Sequence, residues 1–66
     1  MFVKIRMKDG SEEVFDTDKI TLVSKDWGKP IYTIHISENK YVRVDEGIYQ
    51  ALMERLEPVL LIAKEG

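Results

Sequence analysis

The stretch Ile31-Tyr32-Thr33-Ile34-His35-Ile36-Ser37-Glu38-Asn39-Lys40-Tyr41-Val42-Arg43-Val44-Asp45-Glu46-Gly47-Ile48-Tyr49-Gln50-Ala51-Leu52-Met53-Glu54-Arg55-Leu56 contains two alternating runs followed by one run at helical spacing. Tyr32, Ile34 and Ile36 alternate with Thr33 and His35, and Val42 and Val44 alternate with Tyr41 and Arg43. A period of two is the mark of a half-buried strand, so both runs are expected as strands of one hairpin. A two-residue loop at Glu38-Asn39 would set Ile34 across from Arg43. A loop of Ser37-Glu38-Asn39 instead sets Ile34 against Val42 and Tyr32 against Val44, with His35 opposite Tyr41 and Thr33 opposite Arg43 on the other face. A one-residue slip turns a whole strand over, so the longer loop is the expected one, with Asn39 taking the positive φ of its bulge. Asp45 is placed to cap a helix, Glu46 suits its positive end, and Ile48, Ala51, Leu52, Arg55 and Leu56 recur at its period. Gly47 in the first turn weakens that helix by about 1 kcal/mol relative to alanine. Pro58 should end it near Glu57.

Towards the N-terminus, Val3, Ile5 and Met7 alternate with Lys4, Arg6 and Lys8. Asp9-Gly10 reads as a two-residue hairpin turn, which sets Arg6 opposite Glu13, Ile5 opposite Val14 and Lys4 opposite Phe15. Phe2 and Phe15 then share a face with the lysines. That face reads either as a solvated surface protected by lysine from edge pairing or as a phosphate-contacting stripe with two stacking platforms. Asp16-Thr17-Asp18-Lys19 is a polar turn without the spaced carboxylates and glycine of a calcium loop, and Ile20-Thr21-Leu22-Val23-Ser24 is a third strand. Lys25-Asp26-Trp27-Gly28-Lys29-Pro30 is the main irregular connection. Its tryptophan is expected to fold back over the open end of a small core, or else to contact a base or a protein partner.

The 66 residues allow one domain, residues 1–66, of α+β class. The expected architecture is an antiparallel sheet of about five strands, two hairpins and a linking strand, with one C-terminal helix on its apolar face. Val3, Ile5, Val14, Ile34, Ile36, Val42, Val44, Ile48, Leu52 and Leu56 are the expected core. A chain this short buries only about 60% of its unfolded surface, and small domains usually add disulfides, a metal or a second subunit. The chain has no cysteine and a single histidine, which leaves self-association. Beyond Pro58 the tail, residues 58–66, opens with Val59-Leu60-Leu61-Ile62-Ala63, a continuous apolar run too short for a membrane span. It must be covered, either within the subunit or, as the small size favours, as a homodimer interface carried by Val59, Leu60, Leu61 and Ile62.

An apolar fraction of 44% with a charged fraction of 33% suits a folded domain, and a net charge of −2 argues against a generally basic surface. Absence of cysteine and of a leader-like apolar run points to the cytoplasm. His35 has no nucleophile or orienting carboxylate beside it, and there is no metal-ligand cluster or glycine-rich phosphate loop, so no catalytic residue, metal or cofactor is expected. The function expected by elimination is a non-catalytic, homodimeric module that binds another protein. The alternative is a small RNA- or DNA-binding regulator. Either would draw on Trp27, Lys4, Arg6, His35, Tyr41 and Arg43 as contact residues.

Met1, Val3, Lys4 and Arg6 at the start, the early turn glycine Gly10, Asp16 and Ile20 after the second strand, and Lys40-Tyr41-Val42 with Val44-Asp45-Glu46 running into a helix resemble the small flagellar FlbD family over about residues 1 to 57. The chain departs from that family at the Trp27 loop, where the family has a Thr-Pro-Asp turn, and in the tail. The resemblance implies a non-enzymatic accessory role linked to the flagellar motor. Separately, Glu46-Gly47-Ile48-Tyr49-Gln50 is similar to the strand-to-helix end of carbon-storage-regulator proteins, which are dimeric RNA binders. That family's N-terminal strand is absent, so no binding residue is carried over from it.

Overall fold

The computed structural model describes residues 1–63. The strands are β1 (Phe2–Arg6), β2 (Glu12–Asp16), β3 (Ile20–Lys25), β4 (Tyr32–Ile36) and β5 (Lys40–Val44), and the helix α1 spans Glu46–Leu56. This is the expected α+β domain of five antiparallel strands and one C-terminal helix. The strands divide into a two-stranded sheet, β1-β2, and a three-stranded sheet, β3-β4-β5. Ile5 and Phe15 of the first sheet and Leu52 of α1 meet Tyr32, Ile34, Ile36, Val42 and Val44 on one face of the second, and these eight side chains form the buried core.

The β4-β5 hairpin has the expected register: Tyr32 pairs with Val44, Thr33 with Arg43, Ile34 with Val42 and His35 with Tyr41. Its loop is the three residues 37–39, but the positive φ falls on Ser37, at 56°, and not on Asn39. The Ser37 N–H donates to the Lys19 carbonyl at 3.0 Å, so the chain is already tied and reversing where it leaves β4.

The first hairpin corrects the sequence expectation by one residue. Val3 pairs with Phe15, Lys4 with Val14, Ile5 with Glu13 and Arg6 with Glu12. The loop is longer than Asp9-Gly10. The Met7 N–H donates to Ser11 O and the Gly10 N–H to Met7 O, with Gly10 at φ 92°, so the reversal is a four-residue turn closed by a glycine bulge. The Asp9 carboxylate holds it by accepting from both the Ser11 N–H and the Ser11 hydroxyl. These bonds also lower the Asp9 pKa, the hydroxyl bond most. As a result Phe15 enters the core at 7% exposure, while Val14 stands 57% exposed. Arg6 pairs with Glu12, not Glu13, through Nε and Nη2 at 3.0 and 2.9 Å.

Between β2 and β3 the polar turn forms a short 3-10 helix, Thr17–Lys19. Asp16 caps it by accepting from the Asp18 N–H, and also accepts from the Met1 amino group at 3.1 Å. Both contacts favour the carboxylate and hold its pKa below the usual value, the Asp18 bond most. In α1 the Asp45 carboxylate accepts from the Ile48 N–H at 3.0 Å, the expected cap. The helix stops at Leu56, where Glu57 turns left-handed at φ 48° ahead of Pro58. Its inner face is Leu52 with Ile48, Tyr49 and Met53. Leu56, expected in the core, lies outside it. The helix is rotated towards Tyr49 because that ring stacks on Tyr32, with centroids 4.2 Å apart and planes at 18°. Tyr32 is 2% exposed, and its hydroxyl donates to Glu46 Oε1 at 3.1 Å. Burial first, and then the Glu46 carboxylate, raise its pKa above 10.

Candidate functional site

The outer face of the second sheet gathers three of the expected contact residues. Adjacent strands place Tyr41 beside His35 with ring centroids 6.1 Å apart, and the Arg43 guanidinium lies 5.5 Å from the Tyr41 ring centroid. The sequence reading missed Leu22, which pairs with His35 and is exposed beside it. A register shift between Ile20 and Leu22 brings it there, and the alternation within β3 alone does not reveal that shift.

Trp27 does not fold back over the core. It is 98% exposed at the tip of the β3-β4 loop, in a turn that Gly28 closes at φ 76° while the Lys29 N–H donates to Asp26 O. Pro30 follows directly and stiffens the return to β4, so nothing draws the indole inward.

Arg6 and Arg43, which come from different hairpins, line a common groove with Lys8 at the junction of β5 and α1. Asp9 and Asp45 share that groove, and Arg6 is already engaged by Glu12. Lys4 lies apart, in a separate groove between β1 and α1 with Phe2 and Arg55. The six expected contact residues therefore do not form one surface.

Two apolar features remain. Residues 59–63 carry neither helix nor strand, and Val59, Leu60, Leu61 and Ile62 are 79–86% exposed. The last three residues of the 58–66 tail lie outside the described residues. Beside β2, Phe2, Val14, Phe15 and Ile36 line a cleft of about 310 Å³ together with Glu13, Asp16, Lys19 and Lys40, and Lys40 Nζ lies 3.8 Å from Glu13 Oε2. The sequence signal for this cleft was available in Phe2 and Val14, but the expected register put Val14 in the core.

Among the described residues there is no group of three or more side chains able to hold a metal, and no buried side-chain polar atom lacks a hydrogen-bond partner. Among the described residues no helix is long and apolar enough to cross a membrane. Comparison with protein-family models, with curated proteins and with solved structures finds no match for this chain.

Proposed function

We propose that this chain is a non-catalytic protein-binding module that works as a homodimer, with residues 59–62 as its self-association element. The observation that carries the reading is the tail: four consecutive large aliphatic side chains at 79–86% exposure, held off the body by the left-handed cap at Glu57 and by Pro58. The Cα radius of gyration, 12.5 Å, exceeds the roughly 11 Å of a compact chain of this length, in keeping with a segment that finds no seat on its own domain. Burying four such side chains is worth roughly 6–12 kcal/mol per tail, enough for two exchanged tails to offset an association cost of about 4–15 kcal/mol. A second protein would be met by the outer sheet face and Trp27, whose aromatic and arginine side chains are the types that dominate interface energetics. A FlbD-like role would make this an accessory function in the flagellar motor, and a cysteine-free chain suits a reducing compartment such as the cytoplasm.

Light scattering on the full chain and on a chain ending at Glu57 tests the proposal. The full chain should scatter at twice its 7.7 kDa monomer mass, and the truncated one at the mass of its own monomer. A dimer that survives truncation places the interface elsewhere.

The groove that brings Arg6, Lys8 and Arg43 together favours a second reading, a nucleic-acid-binding regulator. Fluorescence anisotropy with randomised single-stranded RNA and DNA tests it. Micromolar binding with a steep salt slope supports phosphate contacts, and no binding at low salt removes the reading.

A further inference from the structure

We infer that the tail of one copy adds as a strand to the free edge of β2 in a second copy, seated in the cleft lined by Phe2, Val14, Phe15 and Ile36. This rests on the self-association proposed above and names its receiving site. β2 hydrogen-bonds to β1 alone, so its other edge carries backbone donors and acceptors with no strand beside them. An added strand satisfies those groups by main-chain bonding and takes its specificity from alternate side chains. A strand with one wet face alternates apolar and polar residues, whereas a run apolar at every position fits a strand covered on both faces. The cleft beside β2 brings apolar side chains towards both faces of such a strand, the exposed Val14 and Phe2 on the outer face and the rims of the core residues Phe15 and Ile36 on the inner, with Glu13, Asp16, Lys19 and Lys40 around them and Lys40 Nζ 3.8 Å from Glu13 Oε2. Pro58, just before the run, stands where a strand needs no donor.

A second copy is the occupant because the tail's own domain leaves it exposed and because the area suffices. Full burial removes roughly 60–120 Å² of each aliphatic side chain from water, so two exchanged tails and the surfaces that they cover come to about 1,000–2,000 Å², the size of a stable dimer interface.

The absence of cysteine permits a clean cross-linking test. Val14→Cys combined in one chain with a cysteine at each of positions 59 to 62 in turn should give, under oxidation, a disulfide-linked dimer for at least one pair. A disulfide only within single chains, or none in any pair, overturns the inference. In parallel, Val14→Lys and Leu61→Asp, both at exposed positions, should each raise the dimer dissociation constant at least tenfold with the circular dichroism spectrum unchanged. If Leu61→Asp dissociates the dimer and Val14→Lys does not, the seat on β2 is wrong while the tail remains the interface. If Leu61→Asp leaves the dimer intact, both the seat and the self-association reading fail.

Discussion

Phe15→Ala and Val14→Thr, one position apart on the same strand, should differ in cost by several kcal/mol. Phe15 is 7% exposed, pairs with Val3 and belongs to the eight-residue core, and truncating such a phenylalanine costs about 3–5 kcal/mol. A 66-residue domain has a total stability of about 3–10 kcal/mol, so Phe15→Ala should lie near or beyond the limit of folding. Phe15→Leu keeps most of the volume and should cost about 1–1.5 kcal/mol, a shift of roughly 1 M in the urea midpoint for so small a domain. Val14 stands 57% exposed on the outer face beside Lys4 and Phe2, and Val14→Thr retains the β-branch, so its change should stay within about 0.5 kcal/mol. The measurement is urea unfolding followed by circular dichroism. It is made in a Leu61→Asp background so that association does not add to apparent stability. Equal shifts at the two positions, or a larger one at Val14, would refute the hairpin register on which the core and the β2 cleft both depend.

Three further outcomes follow from the geometry. Tyr32→Phe removes the bond to Glu46 without orphaning a buried group and should cost about 1 kcal/mol in urea unfolding. Because the folded Tyr32 pKa is raised, its contribution is intact below pH 10 and is lost as pH rises through the folded value, so the variant should lose less stability under alkaline conditions than the parent. An equal alkaline loss in both would contradict that environment. Asp16 has the opposite sign: its folded pKa lies below the ordinary 3.8, so its contribution is present above that value and disappears as pH falls through the lowered one. Asp16→Ala should therefore flatten the acid limb of the stability profile measured from neutral pH downwards, and an unchanged slope would count against the cap. Trp27→Ala should alter stability by no more than about 0.5 kcal/mol, and native Trp27 fluorescence should already show the red-shifted emission of an indole in water. Blue-shifted native emission would mean that the indole is covered.

The central hairpin was legible because its apolar residues fit only one of the two loop lengths, so the register of Tyr32, Ile34, Val42 and Val44 followed from the pattern. The first hairpin was harder because Asp9-Gly10 satisfies two turns equally well: as the whole loop, or as the end of a longer one closed by a glycine bulge. One signal did discriminate. The two-residue reading left Phe15 among lysines, whereas the observed register returns it to the side of Val3 and Ile5. The rotation of α1 towards Tyr49 depends on a stacking contact with Tyr32, a tertiary choice that helical periodicity cannot express. The same holds for the candidate site. The apolar character of the tail was legible in its composition, but whether its own domain covers it was not, and whether Lys4, Arg6 and Arg43 meet depends on how two hairpins pack, of which local sequence carries little.

Sedimentation equilibrium of the full chain, across concentrations from well below to well above micromolar, tests the central claim most directly. The account predicts a concentration-dependent rise from the 7.7 kDa monomer to a plateau at twice that mass, abolished over the same range by Leu61→Asp. A monomer at every concentration, or a dimer indifferent to Leu61→Asp, would contradict it.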